Sequence, residues 1–374
     1  MKIKRLCVRS IYLFIISFLL FCEGCGYSES DTMLSEENSI KTNLMSNDEF
    51  FQIVVLPDTQ YYTSLKHGGT MTMFEDQISW IRANKESSKI AYVVHLGDMV
   101  DHGDDNNQIE WLRAKTEMYK LEQDSIPYGV AVGNHDQTPY GNPSSPGTNN
   151  GYGVYFGRNH MEQFSWYGGA YGSSNNSDNH YDLFTANGID FIVLYLELNT
   201  PGSTEYSASI ESAVLNWADG ILTTYSDRKA IIVSHSLLGR PIDANGESIG
   251  YNDTRPGFGN NSVASNFTNQ GQVIYDRMKH HNNVFLMLGG HISGEGFRKD
   301  NYNGHIIKSY LSNYQSRRNA PYTVNDRNGG NGLMRLMRFD TSNEVLSIRT
   351  FAPRVGPNIL EEDDDSDFTQ PLYD

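Results

Sequence analysis

The strongest constraint on this chain is a repeated junction: an apolar run stops, and a small cluster of Asp, Asn, His or Gln follows. There are five such clusters: Asp58-Thr59-Gln60, Gly97-Asp98-Met99-Val100-Asp101, Gly133-Asn134-His135-Asp136, Ser234-His235-Ser236 and Gly289-Gly290-His291-Ile292-Ser293. Four of them come directly after a run that reads as a buried strand. In a layered α/β fold, polar residues at the carboxyl ends of strands converge on one edge and build a site there. One Asp or His after a strand carries little information. Five strand ends supplying metal-ligand chemistry carry much more.

The rest of the pattern agrees with alternating strand and helix. Strands are expected at 50–56, 90–96, 127–132, 180–184, 189–196, 229–233 and 283–288, and helices at 73–84, 108–121, 207–222 and 270–281. Such alternation points to βαβ units. The Asn187-Gly188 pair predicts a hairpin turn. Segments 305–311, 332–339 and 344–350 read as antiparallel strands closing a second sheet. Two long polar stretches, 137–179 and 239–266, interrupt the pattern just past a cluster, and loops of that length are often functional. The first is expected to roof the site. Its tyrosines, with Tyr61 and Tyr62, suit either an aromatic wall or packed surface.

Taken in order, the clusters read PDTQ, GDMVD, GNHD, SHS and GGHIS. This order resembles the calcineurin-like metallophosphoesterases, whose pattern is D-x-H, GD-x-x-D, GNH-D/E, a lone H, and GH-x-H; the likeness runs from Phe51 to Ser293. It implies a four-layer sandwich, two mixed β-sheets packed face to face with flanking helices. It also implies a phosphomono- or diesterase acting through metal-activated hydroxide, with no covalent enzyme intermediate. Two cations about 3.5–4 Å apart clamp phosphate oxygens and acidify a water in such chemistry.

The resemblance puts Asp98 between the two metals, where a carboxylate can give one oxygen to each. It gives Asp58 and Gln60 to the first metal, and Asn134, His235 and His291 to the second. Oxygen and imidazole ligands without thiolate suit manganese, zinc or iron. His135 is implied as the residue that meets the substrate and its leaving oxygen. Asp136 stands beside it to orient the ring, and Asp101 lies behind. Each residue also has a plain structural reading: Asp98 as a helix N-cap, Asn134 as a turn residue, the histidines as core-edge residues bonded to carbonyls. Two positions depart from the family pattern, Gln60 and Ser293, each standing for a histidine. Both belong to the first metal, so one tight and one weaker site are expected. Glu295 is a candidate replacement ligand, and Arg298, Arg317 and Arg318 are candidate phosphate contacts. His102 stands where some relatives carry an arginine. The alternative function is a surface lipoprotein that keeps the fold and binds a phosphorylated or glycan ligand without turnover.

The ends of the chain have a different character. Residues 1–24 place Lys2, Lys4, Arg5 and Arg9 before an apolar run at 11–21, the layout of an export signal and shorter than a membrane span. Cys25 after Gly24 resembles a bacterial lipoprotein site, with Cys22 as second choice, so export to the cell envelope and an N-terminal lipid anchor are expected; the alternative is an ordinary signal peptide and a secreted protein. Residues 25–49 read as a tether, 50–355 as the phosphoesterase domain, and 356–374 as an acidic tail. The three cysteines are Cys7, Cys22 and Cys25, so the expected domain has no disulfide. A formal net charge of -16 argues against nucleic acid as a partner. A phosphate ester would depend on bound cations for its attraction.

Overall fold

The computed structural model describes residues 49–103, 108–143, 151–173, 175, 177–241, 265–317, 327–354, 359–361 and 365–373. Cys25, the expected leader and tether, Arg318 and most of 239–266 lie outside the described residues.

Two seven-stranded mixed sheets face each other. In the first, β1 (Phe50–Leu56) lies parallel to β2 (Ile90–His95), which lies parallel to β3 (Tyr128–Val130). The second is built on β6 (Ile189–Leu196), β7 (Lys229–Ser234) and β10 (Val284–Gly289), again mutually parallel, with β4 (Tyr167–Ala170) and β5 (His180–Ala186) on the β6 side. A separate two-stranded ribbon pairs β8 (Leu238–Pro241) with β9 (Ser265–Phe267). Parallel strands buried on both faces need apolar residues at nearly every position, which is what the continuous runs supply.

Period-two alternation sorts those residues between layers. Phe51, Ile53 and Val55 of β1 point into the space between the sheets, against Phe191, Val193, Ile231 and Leu288. Val54 and Leu56 point outward, against α1 (Gln60–Ser64), α2 (Met71–Asn84) and α3 (Gln108–Gln123) through Tyr62, Phe74, Ile78, Trp111 and Met118. The outer face of the second sheet is covered by α4 (Ala208–Thr224) and α5 (Asn269–Met278) through Val214, Ala218, Leu222, Ile274 and Met278. The result is the expected four layers, helix, sheet, sheet and helix.

Four expectations are corrected. The three late strands do not form one sheet. β12 (His305–Asn313) joins the second sheet beside β10, while β13 (Met334–Asp340) and β14 (Val345–Ala352) join the first beside β1. β11 (Gly294–Tyr302) has no apolar alternation in sequence and was not expected; antiparallel pairing to β12 forms it. The segment set aside as an acidic tail supplies β15 (Ile359–Glu361) and β16 (Asp367–Pro371), both paired to β14, with Phe368 and Leu372 in the inter-sheet core. Most of 137–179 is packed surface rather than roof. Tyr152, Phe156, Met161 and Trp166 fill the layer around Trp111, and Tyr171 lies edge-on to Trp217. Tyr62 is likewise core, its hydroxyl accepting from the Gly332 amide.

Candidate active site

β1, β2 and β3 end side by side, and so do β7 and β10 in the facing sheet. The polar clusters therefore meet across the top of the inter-sheet core. Asp98, His235 and His291 form one group, with one ligand atom from each lying within 4.8 Å of the others. His235 is fully buried. Its Nδ1 donates to the Leu96 carbonyl at 2.8 Å, which fixes the tautomer and leaves the Nε2 lone pair open to a cation. Nε2 lies 2.9 Å from Asp98 Oδ2 yet is in no aligned hydrogen bond. Two ligands of one cation can stand in that relation, close together without a well-formed bond between them.

The backbone bends to allow this. Asp98 has φ 48° and His291 φ 65°, the left-handed region that ordinary side chains avoid and that clusters at functional sites. Glycine is required beside them. A Cβ on Gly133 would sit 2.2 Å from Asp98 Oδ1, and one on Gly290 2.5 Å from Asp58 Oδ1. The glycines of GNHD and GGHIS thus clear space for the carboxylates of other strands.

Asp58 is buried with its Oδ2 accepting from Asn313 Nδ2 at 2.6 Å, and its Oδ1 faces the His291 amide at 3.5 Å. The Thr59 amide donates to the Asp98 carbonyl at 3.1 Å, joining the first two clusters. His95 braces the same junction: Nδ1 accepts from the Gly97 amide and Nε2 donates to Thr59 Oγ1. Burial pushes its pKa down to about 3, so this ring stays neutral.

The residues fit divalent cations on two observations. First, Gln60 Oε1 and Asn134 Oδ1 are buried oxygens with no hydrogen-bond partner, an arrangement that costs free energy unless something else binds them. Asn134 turns its amide nitrogen to the Tyr140 hydroxyl at 2.5 Å, which leaves the oxygen open to a cation. Secondly, Asp58, Asp98 and Asp136 are buried together. Desolvation raises the Asp58 pKa well above its usual range and brings Asp136 up to about 7, with Asp98 adding to both. Burial opposes ionisation of Asp98 too, but His235 and His135 hold its carboxyl below the usual range. For His235, burial alone would favour the neutral ring; Asp98 and Asp58 outweigh it and raise the pKa to about 10. A metal-free site therefore draws a proton onto His235 in the place where a cation would sit.

His135 lies beside this cluster, its amide donating to Asp98 Oδ1 at 3.0 Å. Its Nδ1 donates to the Asp101 carbonyl at 2.8 Å, with Asp101 Oδ1 at 3.5 Å. The orienting residue is thus Asp101, and the expectation for Asp136 is corrected. Asp136 accepts from the Met99, Val100 and Gly133 amides, so it braces the loop that carries Asp98. Asp101 Oδ2 also gathers Lys66 Nζ at 2.7 Å and His102 Nδ1 at 3.1 Å.

Other candidates are placed elsewhere. Glu295 is buried in an ion pair with Arg335 and accepts from Tyr314 and Ser366, so it is no substitute ligand. Its position on β11, a strand not foreseen, explains the error. Ser293 Oγ donates to Ser316 Oγ at 2.8 Å. Arg298 pairs with Asp300, and Arg317 with Glu361. Asn313 and Lys66 were missed. Asn313 had a readable signal, a polar residue ending the apolar run of β12; Lys66 had none.

The two facing sheets and the polar residues at their strand ends agree with the calcineurin-like pattern read from the sequence. The chain belongs to the calcineurin-like phosphoesterase family, whose model matches residues 51–294. It is 29% identical over 330 residues to the uncharacterized protein YvnB of Bacillus subtilis strain 168, an alignment covering 84% of this chain and 21% of that protein. The chain thus spans about a fifth of the length of that relative. A dimetal phosphatase from Danio rerio aligns over 83% of this chain and 99% of its own, with 14% identity and a TM-score of 0.46. The yellow lupin purple acid phosphatase aligns over 86% of this chain and 54% of its own, with 14% identity and a TM-score of 0.44.

Proposed function

We propose that the chain hydrolyses a small phosphate ester with two unequal divalent metal sites, a tight one at Asp98, Asn134, His235 and His291 and a weaker one at Asp58 and Gln60. The observation that carries this reading is the set of buried, unpartnered ligand atoms, Gln60 Oε1, Asn134 Oδ1 and His235 Nε2, on the edge where Asp98 and His291 meet. Bound divalent cations supply Lewis acidity and a nucleophile at neutral pH. The chain's own residues do the rest. Asp98 would serve both cations, Asp136 fixes the Asp98 loop, and Asn313 aims Asp58. His135, held by Asp101, delivers a proton to the leaving oxygen from Nε2.

A cavity of about 200 Å³ opens beside Asn134 and His291, bounded by Tyr140, Gly141, Leu198, Thr200, Ser203 and Glu205. That volume suits a small leaving group. Among the described lining residues Glu205 is the acidic one and none is Lys or Arg, so a neutral or cationic leaving group fits better than one carrying further phosphates.

The test is hydrolysis of an aryl phosphate by chelated protein with and without added manganese. Manganese-dependent turnover is expected. Tight metal binding with no turnover on aryl mono- and diesters would favour a binding lipoprotein instead. Export and lipid attachment at Cys25 complete the proposal, supported by the N-terminal pattern. Cys25→Ala should move the protein from the detergent to the aqueous phase; lipid labelling lost only in Cys22→Ala would shift the site. Among the described residues no helix is long and apolar enough to cross a membrane.

A further inference from the structure

Away from the strand-end site, Asp219, His280 and His281 form a second cluster with ligand atoms from all three within 4.8 Å of one another. Asp219 lies on α4, and the two histidines lie in the turn between α5 and β10. His281 Nε2 is 3.0 Å from Asp219 Oδ1, and His280 Nε2 is 3.3 Å from the same oxygen. The rings lie against each other, with centroids 4.1 Å apart. Neighbouring residues normally send their side chains different ways. Here the turn after α5 brings both Nε2 atoms onto one carboxylate.

We propose that Asp219, His280 and His281 form a second metal site, separate from the phosphoesterase centre, which takes zinc or a similar borderline divalent ion. The spacing suits it. Zinc bonds to imidazole nitrogen at about 2.0–2.1 Å and to carboxylate oxygen at about 2.0–2.2 Å, so ligands on a tetrahedron stand roughly 3.3–3.5 Å apart. The two imidazole–carboxylate separations, 3.0 and 3.3 Å, are within about half an ångström of that. The burial suits it too. The His281 side chain is 9% exposed and anchored, while that of His280 is 52% exposed and free to adjust, with solvent for the fourth position. Two imidazoles and one carboxylate select zinc, nickel, cobalt or copper over magnesium or calcium. One cation opposes binding: Arg277 Nη2 is 4.0 Å from Asp219 Oδ2. Its stronger contact is with Asn216 Oδ1 at 2.6 Å, so it is already engaged elsewhere.

A cation here would tie α4 to the turn that enters β10, the strand leading to His291. All three cysteines precede residue 26, so a metal is the cross-link open to the described domain. Its role is therefore structural, and hydrolysis should not depend on it.

The test compares the chelated parent protein with His280→Gln, which removes one half-exposed ligand and leaves the buried His281–Asp219 contact in place. Both are titrated with zinc by equilibrium dialysis up to about 100 µM free ion and then melted. The parent should hold one more equivalent than the variant, and zinc should raise its melting midpoint by a few degrees more, as expected for an ion that binds only the folded state. Manganese-supported hydrolysis should be equal in the two proteins. Equal zinc equivalents, with equal zinc-dependent shifts, would overturn the proposal. Because the readout is the difference between two proteins with the same strand-end site, it does not depend on whether that site is catalytic.

Discussion

The two halves of the strand-end site are built differently. On one half, His235 and His291 follow parallel strands of one sheet, and His235 is locked by the Leu96 carbonyl with its Nε2 2.9 Å from Asp98 Oδ2. On the other half, Asp58 stands with a neutral amide, Gln60, and is steered by Asn313. Ser293, at the second family histidine position, is bonded to Ser316. Imidazole holds transition metals more strongly than an amide oxygen does. The proposed consequence is a permanent cation on the histidine half and an exchangeable one on the amide half.

The largest test removes what the halves share. Asp98→Ala should abolish both tight metal and hydrolysis, since in the proposed arrangement it alone serves both cations. Activity above a tenth of the parent would show that the halves are independent. Next is His135→Gln, expected to keep the metal content and lower turnover by roughly 10²–10⁴, the range for a general acid. Loss of metal in that variant would move His135 into the histidine half as a ligand.

Asn313→Ala acts on the amide half. It frees Asp58, so the manganese concentration needed for half-maximal activity should rise by about 10–100-fold, as for other residues that orient a ligand. The tight metal should remain; its loss would mean that the halves are not separable. Changing Gln60 and Ser293 together to His should do the reverse and bring tight metal from near one towards two per chain. Two tight equivalents in the unaltered protein, measured after dialysis, would end the comparison.

The smallest effect is in pH. In metal-free protein the His235 pKa is raised to about 10 against an ordinary 6.5. A raised pKa contributes stability that is complete below the unfolded value and lost as pH rises through the folded one. Chelated protein should therefore lose stability between about pH 7 and 10. Bound metal takes the proton's place, so the metal-induced rise in melting midpoint should grow across the same window. A metal-induced shift that is flat with pH would show that His235 carries no such proton.

The sequence by itself determined the strand ends and the residue types on them. Continuous apolar runs have few ways to be buried, and in parallel sheets their carboxyl ends must meet, so Asp58, Asp98, Asn134, His235 and His291 could be placed together without coordinates. Local spacing also marked most of the strands and helices, while the four layers came from the family resemblance. Orientation was decided only by the fold. Asp136 precedes Gln137 and adjoins His135 in sequence, yet three backbone amides claim its oxygens, and the carboxylate beside the ring comes from Asp101. Glu295 is a plausible ligand two residues after Ser293, but antiparallel pairing of β11 to β12 carries it to Arg335. Phe368 lies next to an acidic run and still ends in the core, because β14 offers it an open edge. Adjacent residues of a strand point to opposite faces, and edge pairing is chosen by what the rest of the chain leaves unpaired. Neither partner choice is written in a local pattern, so the tertiary structure alone could settle them.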